Sequence, residues 1–428
     1  MQYGCIGEKL KHSFSKEIHA AFADYTYELC EMPHEALADF FREKDFRGIN
    51  VTIPYKEAVM CFLDEIDESA KAIGAVNTIV NREGRLYGYN TDFYGMTELI
   101  RRIGVPLKGK KIAVLGSGGT SRTACAVATA LGASTVLRVG RNEKDGIIGY
   151  ERLCSEHRDL QYLINTTPCG MYPYAEGREG MRAAAVDVGD FPMLAGVADA
   201  VYNPLRSQLV LDARSRGIPA EGGLSMLVAQ AVRAAELFLN QVLPPHTVDR
   251  VLREVSAEKE NIVLIGMPAC GKSSVGAELA RLLDRKLIDL DRRIEEREQR
   301  RIPEIFASQG EQGFRDVEEQ VIAEEVAQAN RLIIATGGGA ILRDRNVDNL
   351  RRNGRLYFLD RPLEDLMPTE DRPLASTKEA IEARYRERYP RYSSVADCRI
   401  AVTGDVKTVA ETIAQEFFSE KREERHDA

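Results

Sequence analysis

The 428-residue chain has no tryptophan, only six histidines and no cysteine pair spaced as CxxC. Its eight cysteines (Cys5, Cys30, Cys61, Cys125, Cys154, Cys169, Cys270, Cys398) stand at least 15 positions apart, which excludes clustered zinc ligands and makes reduced thiols the expected state. Met1 to Leu10 lacks a basic segment leading into an apolar one, and no stretch approaches the about 18 uninterrupted apolar residues of a membrane span. A cytoplasmic protein with no membrane partner is expected. Excess positive charge is missing too: 58 Lys and Arg against 66 Asp and Glu leave −8. That balance argues against nonspecific nucleic-acid binding and leaves local basic pockets for small anions. Internal repeats and low-complexity tracts are absent. With 44% hydrophobic and 29% charged residues, there is material for two or three folded domains.

Two glycine-rich turns organise what is there. Lys111-Ile-Ala-Val-Leu-Gly-Ser-Gly-Gly119 reads as a strand and a tight turn, and Ser121 to Leu131 continues at helical spacing. The pattern returns about 150 residues later, where Asn261-Ile-Val-Leu-Ile-Gly266 leads through Met-Pro-Ala-Cys-Gly-Lys into the helical stretch Ser273 to Leu283. The fold class is therefore α/β, with two nucleotide-type units. Polar residues 251–260 between them read as a linker or a helical extension. Upstream of the first turn, short strands (Gly48 to Ile53, Ala75 to Val80, Gly84 to Tyr89) alternate with helices (Ser15 to Asp24, His34 to Glu43), which predicts a separate α/β lobe. The charged tail from Ser419 to Ala428 reads as a solvated end.

Gly116, Ser117, Gly118, Gly119, Thr120, Ser121 and Arg122 form a candidate pyrophosphate site, because glycines let the backbone approach and a helix N-terminus offers free N–H groups. Ser121 stands where a strict GxGxxG motif has its third glycine. The next strand, Ser134 to Val139, ends in Gly140-Arg141-Asn142 where an acid would bind an NAD ribose. Arg141 favours a 2′-phosphate, and so NADP(H). Lys56, in Asn50-Val-Thr-Ile-Pro-Tyr-Lys56, and Asp92, in Asn90-Thr-Asp92, are expected at two strand ends facing a cleft. There a lysine paired with a carboxylate can move a proton as a carbonyl is reduced.

Taken with His12-Ser-Phe-Ser15, Gly74-Ala-Val-Asn77-Thr78, Asn165-Thr-Thr-Pro-Cys-Gly-Met171, Asp199-Ala-Val-Tyr202 and Gly222-Gly-Leu-Ser-Met226-Leu-Val-Ala-Gln230, these residues resemble the shikimate dehydrogenase family over about residues 3–245. The resemblance implies NADPH-dependent reduction of 3-dehydroshikimate, with Lys56 and Asp92 as the catalytic pair. It also implies that Ser13, Ser15, Thr52, Asn77, Tyr202 and Gln230 meet the substrate and that Gly223 lies beside the cofactor. A two-lobed dehydrogenase over 1–250 follows, its substrate lobe at about 1–103 plus 225–250 and its Rossmann-like NADP lobe at about 104–224.

The second turn, Gly266-Met-Pro-Ala-Cys-Gly271-Lys272-Ser273, fits GxxxxGK[ST] fully. Gly266, Ala269, Cys270, Gly271, Lys272, Ser273 and Ser274 are candidate ATP contacts, with Lys272 reaching the terminal phosphates and Ser273 ligating Mg²⁺. Leu287-Ile-Asp289-Leu-Asp291 is expected to set two acids on one strand face, one for Mg²⁺ and one to accept a hydroxyl proton. With Gly310-Glu-Gln-Gly-Phe-Arg315-Asp-Val-Glu318, Gly337-Gly-Gly339, Asp371-Arg372-Pro-Leu374 and Arg388-Tyr-Pro-Arg-Tyr392, the series resembles shikimate kinase across 261–415, within a P-loop domain at 261–428. The family pattern then implies Asp289 for magnesium, Asp291 for the acceptor hydroxyl, Arg315 and Arg388 with Gly338 and Gly339 around the shikimate carboxylate, and Arg372 as a lid arginine. The expected partners are small molecules only. An alternative is a quinate/shikimate dehydrogenase of broader specificity fused to a small-alcohol kinase.

Overall fold

In the computed structural model, residues 1–10, 13–173, 177–178, 181–367 and 377–419 are described. The chain divides into two compact units, Met1–Ser256 and Ala257–Ala428. The stretch read as a linker is helical, since a single helix runs Thr247–Lys259.

Unit one holds two six-stranded sheets. The first comprises β1 (Tyr3–Gly7), β2 (Tyr27–Glu31), β3 (Gly48–Val51), β4 (Glu65–Ile66), β5 (Thr78–Arg82) and β6 (Arg85–Tyr89), in the order β2-β1-β3-β5-β6-β4. It is mixed: β1 runs parallel to β2 and β3, whereas β5 is antiparallel to β3 and β6.

The second sheet is wholly parallel. It contains β7 (Lys111–Leu115), β8 (Thr135–Val139), β9 (Ile147–Ile148) and β10 (Tyr162–Asn165); a short antiparallel pair, β11 (Gly177–Arg178) and β12 (Met181–Arg182), precedes its last strands, β13 (Gly196–Asp199) and β14 (Ala220–Glu221). The order β14-β13-β10-β7-β8-β9 is the doubly wound dinucleotide-binding order, in which the topology reverses between β7 and β10. Ile112 to Leu115 are fully buried because helices cover both faces, so the strand reads as a continuous apolar run. A ligand crevice therefore opens at the carboxyl end of β7, where the first glycine turn lies.

Unit two carries one parallel sheet of β15 (Asn261–Ile265), β16 (Lys286–Asp289), β17 (Leu332–Ala335), β18 (Gly354–Asp360) and β19 (Cys398–Ala401), ordered β16-β17-β15-β18-β19. Its switch point again falls at the first strand in sequence, and the second glycine turn leaves from there. The helix Ile302–Val321 is kinked at Gly310, whose φ of 71° belongs to the left-handed region that glycine reaches without strain. Among the described residues, no helix is long and apolar enough to cross a membrane.

Candidate functional site

In unit one, Lys56 Nζ lies 2.6 Å from Asp92 Oδ2, with side chains 19% and 6% exposed. Asp92 opens the helix Asp92–Arg102 rather than ending a strand, so its carboxylate lies both beside the lysine and at the positive end of that helix. This helix packs closely on Leu224–Leu239: a Cβ on Gly95 would lie 2.6 Å from the Met226 carbonyl oxygen and 3.3 Å from Gln230 Cβ. The close approach brings the Gln230 helix beside the pair. Asn77 is buried, and its Oδ1 accepts from the Thr91 N–H at 2.8 Å. A backbone N–H can only donate, so the Asn77 amide nitrogen is the end left to face a ligand. Ser13 Oγ donates to Ser15 Oγ at 3.0 Å, and the Phe14 ring between them packs edge-on against Tyr202 at 5.3 Å. Thr52 follows β3, where its amide donates to the Ile6 carbonyl.

At the first glycine turn, Gly116 has φ 120°, and a Cβ there would fall 2.5 Å from Thr166 Oγ1. A Cβ on Gly118 would meet open space, which is the approach a pyrophosphate needs. Ser121 is fully buried, and its Oγ donates to the Gly116 carbonyl at 2.7 Å, so the missing third glycine is replaced by a side chain that ties the turn to its helix. Ser117 and Thr120 remain at the rim of the turn. Arg122 pairs with Glu57, next to Lys56 in the chain. Arg141 is exposed just beyond β8. The amide of Gly223 is already used by the Val201 carbonyl, and a Cβ there would sit 2.2 Å from the Ala200 carbonyl oxygen. Close backbone packing thus explains that glycine. Asp199, on β13, is wholly buried and accepts from Asn165 Nδ2, Ser207 Oγ and the Val201 amide. Burial pushes its carboxyl up to about 6.

In unit two, the strand-face reading of the two acids is corrected. β16 ends at Asp289, which is the N-cap of the helix Leu290–Glu298 and accepts from the Arg292 N–H; Asp291 lies in the first helical turn. An aspartate whose oxygen satisfies a free helix N–H ends a strand more favourably than it continues one. Even so, Ser273 Oγ donates to Asp289 Oδ2 at 2.5 Å, so the two groups proposed for magnesium meet. Lys272 is buried within the loop, its Nζ donating to the Gly266 and Met267 carbonyls at 2.9 Å each. Ala269 and Gly271 both take positive φ in the curl of the loop. Cys270 is fully buried and so shielded from alkylating reagents, while Ser274 is exposed on the following helix.

Two arginines converge on the triple glycine. Arg315 Nη1 donates to the Gly339 carbonyl at 3.2 Å and Arg388 Nη1 to the Gly338 carbonyl at 3.0 Å. Arg388 is 3% exposed, and its Nε and Nη2 have no hydrogen-bond partner among the described residues. A buried guanidinium with unused donors is chemically suited to a carboxylate. Arg372 and the lid segment around it lie outside the described residues, as do His12 and the last nine residues of the tail.

Three groups that the sequence reading left without a role emerge here. Thr91 orients Asn77, Tyr392 donates to the Gly338 carbonyl at 2.6 Å, and Glu318 is buried behind Arg315. Two of them had a visible signal: Glu318 follows Arg315 by three positions and Tyr392 follows Arg388 by four, each pair on one helix face.

A dinucleotide-binding unit with a lysine–aspartate pair, followed by a P-loop unit with an arginine pair, defines an enzyme of two nucleotide-dependent domains. Comparison with known proteins narrows this. Residues 5–79 match the model of the shikimate dehydrogenase substrate binding domain, and residues 268–420 match that of shikimate kinase. A shikimate dehydrogenase (NADP(+)) of Clostridium perfringens is 36% identical over 271 residues, covering 59% of this chain and 97% of that protein. Shikimate dehydrogenase 1 of Peptoclostridium difficile aligns with TM-score 0.54 at 32% identity over 60% of this chain and 98% of its own. The Thermus thermophilus enzyme, solved in complex with NADP(H) and shikimate, aligns with TM-score 0.53 at 29% identity over 59% of this chain and 99% of its own. The chain belongs to the shikimate dehydrogenase family and carries, after that part, a shikimate kinase domain. It is a bifunctional enzyme of the shikimate pathway.

Proposed function

We propose that unit one reduces 3-dehydroshikimate to shikimate with NADPH and that unit two phosphorylates shikimate at its 3-hydroxyl with MgATP. The observation that carries this reading is the Lys56–Asp92 pair at 2.6 Å, its side chains 19% and 6% exposed. NADPH supplies the hydride and MgATP the transferable phosphoryl group when they are bound. Lys56 Nζ holds the proton that the carbonyl oxygen takes on becoming a hydroxyl, and Asp92 holds that ammonium in place. Ser13, Ser15, Thr52, Asn77, Tyr202 and Gln230 hold the substrate's carboxylate and hydroxyls. A site built to pair hydroxyls discriminates strongly against analogues that lack them.

The open face of Gly118, the helix N-terminus behind it and exposed Arg141 fit a dinucleotide carrying a 2′-phosphate. The relative solved with NADP(H) and shikimate supports the same choice. In unit two, Lys272 and the loop amides would hold the phosphates, and Ser273 with Asp289 would hold the magnesium. Asp291 accepts the proton of the acceptor hydroxyl, while Arg315 and Arg388 grip the acceptor's carboxylate. Arg372 belongs to the reading through the family pattern alone. Incubating the protein with 3-dehydroshikimate, NADPH and MgATP should yield shikimate 3-phosphate by mass spectrometry. Recovery of neither shikimate nor its phosphate refutes the assignment.

A further inference from the structure

Three arginines lie around the first glycine turn, and they differ in what holds them. Arg122 has a carboxylate partner in Glu57, and Arg141 is exposed just beyond β8. Arg138 has no part in the reading above. It interrupts the otherwise uncharged strand Thr-Val-Leu-Arg-Val, where it stands in register with Val114 of β7 and Ile147 of β9. Its side chain is half-buried, and its Nε has no hydrogen-bond partner among the described residues. The tip is held by one contact: Nη2 donates to the Ser117 carbonyl at 3.4 Å, beyond the usual range for a good hydrogen bond. Among the described residues, no carboxylate pairs with it. Burial raises the Cys125 thiol and the Arg138 charge draws it back, which sets the guanidinium beside the helix Gly119–Ala130 that leaves the turn.

A guanidinium stays charged at any working pH, so partial burial without a counter-charge is unfavourable until an anion completes the site. The setting says which anion. In a doubly wound sheet the pyrophosphate lies over the helix N-terminus, whereas the end of the second strand carries the group that reads the adenosine ribose. Arg138 springs from that second strand and reaches back to the turn, and a Cβ on Gly140, next to Arg141, would lie 3.7 Å from Ser117 Cβ. Strand end and turn therefore meet where Arg138 has its tip. Resting on the NADPH reading above, we propose that Arg138 is a second contact for the cofactor's 2′-phosphate, leaving the Ser117 carbonyl to bind it together with Arg141. A long bond to a neutral carbonyl is exchanged for a charge-assisted one, which is about twice as strong. NADH has a hydroxyl in place of that phosphate, so it gives Arg138 no reason to leave the carbonyl.

The test is the affinity of the full chain for NADPH and for NADH, titrated by nicotinamide fluorescence without substrate; the lack of tryptophan keeps the protein background low. Arg138→Gln keeps a donor for the Ser117 carbonyl and loses the charge. It should raise the Kd of NADPH at least about fivefold and leave that of NADH within about twofold. Arg138→Lys, which keeps the charge without the fork, should weaken NADPH less than the glutamine does and likewise spare NADH. With Arg138→Gln/Arg141→Gln the two cofactors should bind within about threefold of each other. Equal weakening of NADPH and NADH in either single variant overturns the proposal, because the side chain then only supports the turn. An unchanged NADPH affinity in Arg138→Gln overturns it as well, and the lysine variant carries the test should the glutamine variant not fold. A wild-type chain that binds NADH as tightly as NADPH removes the NADPH reading itself, a distinguishable result.

Discussion

Replacing Lys56 with Met removes the ammonium while keeping most of the packing, and the structure fixes what should follow. The side chain of Asp92, only 6% exposed, is left without its 2.6 Å partner. Stranding one member of a buried pair typically costs about 3–5 kcal/mol. Here Lys56 reaches solvent and Asp92 sits at a helix N-terminus that returns about 0.5–1 kcal/mol, so about 2–3 kcal/mol is the reasoned loss. For a unit of this size that corresponds to a fall of about 5–10 °C in its melting temperature. Dehydrogenase kcat should fall by about 10²–10⁴, the range a positioned proton donor contributes. Asp92→Asn should lose a similar factor with a smaller stability cost, because the lysine it strands can turn toward water. The decisive measurement is the double variant Lys56→Met/Asp92→Asn, followed by NADPH consumption and by thermal unfolding. Acting as a unit, the pair should lose no more than about threefold beyond the worse single variant, and the double should recover part of the stability. Losses that multiply would show two independent contributions and refute the paired mechanism.

Lys272→Ala should lower phosphorylation of added shikimate by at least about a hundredfold while leaving NADPH oxidation within about twofold, read in parallel assays on one preparation. Arg141→Gln should reduce kcat/KM with NADPH at least about tenfold and leave that with NADH nearly unchanged; equal losses with both would place Arg141 outside the 2′-phosphate contact. Asp199, pushed up to about 6 by burial, holds its proton more tightly folded than unfolded. Its contribution to stability is therefore greatest below about pH 4 and is lost as pH rises through about 6. The melting temperature of Asp199→Asn relative to the wild type should thus increase between pH 4 and pH 6 and level off above; a constant difference would contradict the raised value.

Both glycine turns and their strand–turn–helix setting were legible in the sequence because each depends on local residue order; Lys56 and Asp92 were legible only as complementary charges, since Asp92 opens a helix rather than ending a strand. Glycine permits the backbone geometry wherever it occurs, and a strand end faces the crevice in any parallel sheet. What escaped was set by the following residues or by distant ones. The alternation of Asp289 and Asp291 looks like a strand because period 2 is all that a short segment displays. The capping hydrogen bond to the Arg292 N–H converts the second acid into a helical residue. Ser121 departs from the glycine motif in the sequence, and only the fold places its hydroxyl on the Gly116 carbonyl. Glu318 carries no signal beyond its spacing from Arg315, since its character comes from burial and from Asp291, brought near by the fold. The kink at Gly310 is of the same kind: a glycine within a helical pattern does not announce a left-handed φ.

Each glycine turn leaves from a strand flanked on both sides, β7 between β8 and β10, β15 between β17 and β18. Such doubly paired, fully buried strands are expected to be among the last segments to exchange amide hydrogens, opening only with the whole unit. The turns proposed as phosphate cradles are therefore anchored to strands expected to open last. Arg141, by contrast, follows a strand one place nearer the sheet edge and stands in solvent. The residue proposed to discriminate between dinucleotides therefore stands in solvent beside a more peripheral strand, while the turn proposed to hold the phosphates common to all of them leaves from a doubly paired, buried one.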